Sequence, residues 1–181
     1  MSLAGGCESM LKILGGGLII ISCGLWGLMI AQDYKARIEQ LRQLSTGLKM
    51  LETEIIYTAT PLSEAFEKIG NQFGGPISLF FQTVAKELKA NVTAGAMVAW
   101  EKGLEQLRDK GALWSQDLEI LKELGSMLGQ SGINDQVKNL ELTRNLLGQQ
   151  QLEAIEFNSR KGKMWHTLGF LFGITLVLIL Y

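Results

Sequence analysis

The side chains that could carry chemistry are few and poorly placed to act together. His166 is the single histidine, so a metal site with two histidine ligands is excluded and one candidate base or ligand remains. It begins the last apolar segment, where we expect an interfacial polar residue. Cys7 and Cys23 fall in the N-terminal tail and in an apolar run, and they make neither a disulfide framework nor a zinc site. We therefore predict no metal and no cofactor.

Two acidic pairs, Glu52 with Glu54 and Asp117 with Glu119, are the other candidates. Residues two apart on a helix point about 200° away from each other, so neither pair can act jointly as acid and base. No G-x-S-x-G, H-E-x-x-H or P-loop pattern occurs. The sequence thus predicts that the protein is not an enzyme. The four carboxylates are candidates for surface contacts with a partner, or else solvated helix faces and caps.

Two uncharged apolar runs, at 13–31 and 164–181, have about the length needed to cross a bilayer. Trp165 and Tyr181 bracket the second run, as interfacial aromatic residues do. We predict a tail at 1–9 and transmembrane helices at 10–31 and 164–181. Small residues at four-residue spacing would let these helices pack closely, within one chain or between chains. They are Gly27 and Ala31 in the first helix, and Gly169 and Gly173 in the second.

Flanking charges predict how the chain crosses the membrane. Six basic residues lie on the inner side of the two runs, namely Lys35, Arg37, Arg42, Arg160, Lys161 and Lys163. Only Lys12 lies on the other side. The positive-inside rule then places the middle of the chain in the cytoplasm and both termini outside.

The segment 32–163 reads as helices separated by short breaks. Apolar residues recur at spacings of three and four, first in the stripe Ile38, Leu41, Leu44, Leu48, Leu51 and Ile55. Helix starts are predicted at Thr60-Pro61, with Thr60 as N-cap, at Pro76, after Thr93 and Ser115, and at Ile133. Phe66, Trp100 and Trp114 are predicted core residues. Because the connections are brief, we predict an all-α fold: an antiparallel six-helix bundle flanked by the two transmembrane helices.

The net charge of −1, without a basic run or an aromatic platform, argues against binding to nucleic acid. Beyond this point fold alone does not determine function. Specific stretches do add information: LRQL at 41–44, LKMLETEI at 48–55 with Tyr57, TPL at 60–62, DLEIL at 117–121, LG at 124–125, LGQS at 128–131, Gln136, LT at 142–143, KMW at 163–165 and LG at 168–169. In order and spacing they resemble the stage III sporulation protein AB family over residues 10–181.

The resemblance implies a role in endospore-forming bacteria, in the channel-like complex between mother cell and forespore. It implies a non-enzymatic membrane platform component, similar to those of type II secretion and type IV pilus systems. The implied partners are a hexameric secretion-type ATPase similar to stage III sporulation protein AA, other membrane proteins of the complex and possible copies of the chain itself. The implied location is the cell membrane on the mother-cell side. The family-like segments contain residues expected to shape the bundle: Leu51, Thr60, Pro61, Leu62, Gly125 and Gly129.

Two alternatives stay open at the level of sequence. The protein could be a passive membrane-tethered adaptor that recruits a partner other than an ATPase. It could also be an enzyme subunit whose active site lies in a partner. Two segments depart from the family pattern: residues 1–9 precede the usual family start, and 132–135 replace a more charged turn.

Overall fold

The computed structural model describes residues 32–58, 60–91, 95–128 and 132–180. Within these ranges, side chains are described up to residue 159, except at 58, and also at residue 175. Six α-helices account for most of this part of the chain, and no strand occurs in it. Their bounds are 32–53 for α1, Leu62–Gly70 for α2, Gly75–Ala90 for α3, Gly95–Lys110 for α4, Ser115–Met127 for α5 and Ile133–Leu180 for α6. The prediction of an all-helical fold with six helices is confirmed.

Helix α1 carries the apolar stripe that its sequence predicts. Four leucines at spacings of three and four are fully buried: Leu41, Leu44, Leu48 and Leu51. Ile38 and Ile55 are partly buried at the two ends of the same stripe. After residue 53 the helix widens into a π-helical segment at Glu54–Thr58, a form that is rare and often marks functional sites.

The break between α1 and α2 differs in detail from the prediction. Pro61 is the N-cap of α2, because its carbonyl oxygen accepts bonds from the amides of Glu64 (2.9 Å) and Ala65 (3.1 Å). Thr60 is not the N-cap, and its hydroxyl donates to the carboxylate of Glu54 at 2.9 Å. Proline lacks an N–H and fixes φ, so the helix starts directly after it. The predicted end of α2 at Gly70 and the start of α3 around Pro76 are confirmed.

The core is centred on Trp100 of α4. Its ring meets Phe80 edge to face, with centroids 4.9 Å apart, and Phe66 at 5.9 Å. Its Nε1 donates a bond of 2.7 Å to the carbonyl oxygen of Leu121, so the polar atom of this buried ring is satisfied. Gly125 allows α5 to approach, since a Cβ built there would lie 2.2 Å from Trp100 Cδ1. Trp100 and Phe66 are core residues, as predicted.

Trp114 is not in the core, contrary to the sequence-based expectation: 40% of it is exposed. It is the N-cap residue of α5 and ends the short connection from α4. Ser115, predicted as the cap, is instead the first residue of the helix. Trp114 lies in a connection of four residues and not on the apolar stripe of a helix, so helix packing does not direct its side chain into the core. This explains why the prediction of a core position was wrong.

Hydrogen bonds set the direction of the helices in the bundle. Gln40 Oε1 accepts a bond of 2.8 Å from the amide of Ala112, so α4 ends where α1 begins. Arg37 pairs with Asp117 in the first turn of α5 and bonds Gln150 in the first half of α6. We call this end of the bundle, defined by these five residues, the entry end.

Several predictions fall outside the described residues. They are the tail 1–9, the first predicted transmembrane helix with Gly27 and Ala31, the cap Thr93, and Gly129. Helix α6 continues through the second apolar run to Leu180, but the side chains around Gly169 and Gly173 are outside the described set.

The chain divides into two compact units, and residues Ala36–Ile155 make up the one that holds the bundle. In the other, the rings of Tyr34 and Phe157 have centroids 5.1 Å apart. Within the described part of the chain, no helix combines the length and the apolar character needed to cross a membrane.

Candidate interaction site

Of the two roles predicted for the acidic candidates, surface contact or helix cap, Asp117 has the second: it is not on the surface and caps α5. Its carboxylate is fully buried and forms a bidentate ion pair with Arg37, through Oδ2 to Nε at 2.7 Å and Oδ1 to Nη2 at 2.8 Å. Oδ2 also accepts the amide of Trp114 at 2.9 Å, which closes the first turn of α5. A buried carboxylate needs such compensation, so Asp117 is a structural group and not a surface contact.

Arg37 is equally well compensated and joins three helices. Besides Asp117 on α5, its Nη2 donates to Gln150 Oε1 on α6 at 3.1 Å. Its guanidinium carbon lies 3.9 Å from the centre of the Trp114 ring, a cation–π contact. In the sequence Arg37 served only as a flanking charge. The sequence did indicate that Arg37 is buried, because it lies on the same helical stripe as Leu41, Leu44 and Leu48.

Glu52 is a half-buried link between α1 and α6. Its carboxylate accepts a bond from Lys49 at 2.9 Å on its own helix, and one from Arg144 on α6, also at 2.9 Å. The hydrogen bond from Lys49 and, more weakly, the positive charges of Lys49 and Arg144 lower the pKa of Glu52. Both oxygens of this carboxylate are therefore already engaged within the chain.

Glu54 and Glu119 have different surroundings. Glu54 opens the π-helical segment and accepts from Thr60, with Lys68 of α2 at 3.5 Å. Glu119 is exposed on α5. The four carboxylates do not form one site, because Asp117 is at the entry end whereas Glu52 lies fifteen residues after Arg37, roughly 22 Å along α1.

The other end of the bundle carries exposed apolar side chains that were not predicted. Helix α4 is 16 residues long, about 24 Å. Along α1 and the π-helical segment, Ile56 follows Gln40 by 16 residues, the same number as the length of α4. Because α4 ends beside Gln40, its start lies at about the same height in the bundle as Ile56. Helix α6 runs antiparallel to α1, since Arg144 bonds Glu52 near the end of α1 and Gln150 bonds Arg37 near its start, so α6 begins beyond the end of α1. We call the exposed set at this end the far-end patch: Ile56, Tyr57, Met97, Val98 and Ile133.

The far-end patch is well exposed to solvent. Tyr57 is 79% exposed and Ile133 is 61% exposed, and the π-helical segment holds both Ile56 and Tyr57. Single exposed apolar residues are ordinary, but several at one end of a domain mark an interaction site. Sequence patterns could not reveal it, because Ile56 looks like a continuation of the buried stripe after Ile55.

A groove is a further feature of the described residues. Among them, no group of three or more histidine, cysteine, aspartate or glutamate side chains is arranged to hold a metal ion. A groove on α2 and α3 has a volume of about 660 Å³ and is lined by Glu67, Asn71, Gln82, Ala85, Lys86, Lys89 and Ala90. Lys89 and Glu67 in this groove form an ion pair with each other at its rim.

Comparisons with known proteins agree with the resemblance seen in the sequence. The family model described as stage III sporulation protein AB matches residues 12–181. The stage III sporulation protein AB of Bacillus subtilis (strain 168) is 34% identical over 171 residues, which cover 94% of this chain and 99% of that protein. A solved structure of a stage III sporulation protein AB matches with a TM-score of 0.64 and 32% identity, covering 68% of this chain and 96% of that chain.

Proposed function

The chain belongs to the stage III sporulation protein AB family, and from this premise we propose that it is a non-enzymatic membrane platform component of the channel complex between mother cell and forespore. In this role the helical bundle engages a secretion-type hexameric ATPase on its cytoplasmic side. The observation that carries the contact is the far-end patch, an apolar surface at the end of the bundle remote from the start of α1.

The membrane placement in this proposal rests on the sequence. The runs 13–31 and 164–181 would span the bilayer, and the excess of lysine and arginine between them would keep the bundle in the cytoplasm. Both termini would then lie outside, and the location would be the cell membrane on the mother-cell side. In this proposal the far-end patch is the surface that the bundle offers to the ATPase.

The proposed ATPase contact combines apolar and acidic groups. Tyr57 and Ile133 are suitable anchors, because exposed aromatic and aliphatic residues carry most of the binding energy in interfaces. Glu52 in the last turn of α1 and Glu54 at the start of the π-helical segment remain proposed contacts. Glu119, on the first turns of α5, also remains a proposed contact, at a separate position.

Binding of the full-length protein in detergent to the secretion-type ATPase of the same genome tests this proposal, by calorimetry. We expect a micromolar dissociation constant, roughly −8 kcal/mol. Tyr57→Asp and Ile133→Asp should each weaken binding by about tenfold or more, since a charge would be buried in the contact. Leu152→Asp is the matched control, because Leu152 is 68% exposed on α6 but lies outside the patch.

Two outcomes would contradict the proposal in different ways. Unchanged affinity in both patch variants would place the ATPase contact elsewhere on the bundle. No binding by the folded, membrane-inserted protein would favour the alternative function, a passive membrane-tethered adaptor for a different partner. Circular dichroism of each variant checks that the helical fold is retained.

A further inference from the structure

The far-end patch continues along α4 as a row of exposed carboxylates. Met97 belongs to the patch, and Glu101, Glu105 and Asp109 follow it at steps of four residues, each of them exposed. Val98, also in the patch, comes three residues before Glu101. Residues three and four apart are neighbours on the surface of a helix, and four residues advance it by about 6 Å. We call Glu101, Glu105 and Asp109 the α4 acidic row.

The stability of α4 gives no reason for this row. Like charges four residues apart on a helix repel each other, and both neighbouring pairs of the row have this spacing. Asp109 lies in the last turn, where the helix dipole favours cations. In the described part of the chain no ion pair joins the row to a cation, although Arg108 is exposed beside Asp109. The charge of the row can therefore act on a partner.

Most basic side chains around the row are engaged within the bundle. Five of them are held in ion pairs by carboxylates of the chain: Lys49, Lys68, Lys89, Lys102 and Arg144. Their carboxylate partners include Glu52 and Glu54, so the charges of these two acids are already compensated internally. Lys86 and Lys138 are exposed and make no ion pair among the described residues. A partner that covers Met97 therefore meets uncompensated negative charge along α4.

We propose that the ATPase segment seated on the far-end patch is a basic amphipathic helix. Its apolar side chains contact Met97 and Val98, and its lysine or arginine side chains contact the α4 acidic row. This inference rests on the proposed function and specifies the chemistry of the partner. Ridges of side chains four residues apart on one helix pack into the grooves between such ridges on another. Cations at four-residue spacing on the partner helix then lie beside the three carboxylates in turn.

Association kinetics of the full-length protein with the ATPase test this inference. Rates are measured by biolayer interferometry in non-ionic detergent, at about 0.1 M and about 1 M salt. The row variant E101Q/E105Q/D109N removes the three charges and keeps side chains of similar size. The matched control E123Q/E141Q/E153Q removes three charges from exposed carboxylates of α5 and α6, outside the row and the far-end patch. Circular dichroism checks that both variants retain the helical fold.

At about 0.1 M salt the row variant should associate at least about fivefold more slowly than the wild type and the control, because complementary charges steer the encounter. At about 1 M salt the rates should converge, since the screening length falls to about 3 Å. Equal rates for the row variant and the control at the lower salt, or faster association of the row variant, would overturn the basic helix and leave the patch contact intact. No binding of the wild type to the ATPase would refute the proposed function and this inference with it.

Discussion

Helix α1 is linked to its neighbours by two ion pairs of opposite character, one at each end of the bundle. Arg37 and Asp117 at the entry end have side chains that are 3% and 0% exposed, and they meet in a bidentate pair. Glu52 and Arg144 near the far end are 12% and 28% exposed and meet through one bond. The first pair is completed by Trp114 and Gln150, whereas the second shares its carboxylate with Lys49.

The difference shows how burial changes the role of a charge pair. Two charges taken out of water cost several kcal/mol each, and only good geometry with further hydrogen bonds offsets that cost. The entry end meets this condition. Near the far end, Nε of Arg144 is buried and has no hydrogen-bond partner among the described residues. The entry-end pair is therefore fully satisfied, whereas the far-end pair leaves one buried donor without a partner among the described residues.

The largest expected effect comes from breaking the entry-end pair. Asp117→Asn should lower the free energy of unfolding by about 3–5 kcal/mol, because Arg37 would stay buried without a counter-charge. Urea unfolding measures this. Glu119→Gln, two residues further along α5 and exposed, is the matched control and should change stability by less than about 0.5 kcal/mol. Similar losses in both variants would show that the comparison of the two ends is wrong.

A double substitution tests whether the stability lost in Asp117→Asn comes from the unpaired charge of Arg37. Arg37→Met with Asp117→Leu removes both charges and should recover part of the stability lost in Asp117→Asn, since apolar pairs can replace buried ion pairs. Recovery should be incomplete, because the Trp114 amide and Gln150 lose their partners. A double variant less stable than Asp117→Asn would contradict this account.

A steric contact on α5 provides a stability loss with which the loss of the entry-end pair can be compared. Gly125→Ala should cost about 1–3 kcal/mol, because the added Cβ would meet Trp100 Cδ1 at 2.2 Å in a packed core. Gly148→Ala on α6 is the control, since a Cβ there meets no heavy atom within 4 Å. It should stabilise the helix by about 0.5–1 kcal/mol. Thermal unfolding separates the two, and equal effects would refute the contact with Trp100.

The far-end pair should contribute less. Glu52→Gln is expected to cost about 0.5–1 kcal/mol in urea unfolding, in the range of partly exposed ion pairs, because its partners Lys49 and Arg144 are 56% and 28% exposed and can turn to water. A loss as large as that of Asp117→Asn would remove the distinction between the two ends.

The same pair predicts a small acid dependence. Lys49 lowers the pKa of Glu52 below its ordinary value of 4.5, with help from Arg144. The folded-state pKa is the lower one, so the stabilisation is present above about pH 4.5 and is lost as the pH falls through the lowered pKa. The stability difference between the wild type and Glu52→Gln should therefore shrink on acidification below that range. A difference that grows on acidification would contradict this sign.

Prediction from sequence was most successful where a stripe of one residue type repeats. The leucines of α1, the end of α2 at Gly70 and the break before Pro76 follow from helical period and backbone restrictions, which act within a few residues. Single polar or aromatic residues were placed less well. Asp117 was a candidate for a surface contact and is buried, whereas Trp114 was expected in the core and is exposed.

The sequence by itself determined the helical class, the number of helices, most of their limits and the family, because these depend on local periodicity and on residue patterns along the chain. Only the tertiary structure decided which charges are buried. Arg37 and Asp117 are eighty residues apart, and their pairing depends on how α1, α5 and α6 meet. The far-end patch likewise combines the end of α1 with the starts of α4 and α6, a relation between distant segments that local pattern does not contain.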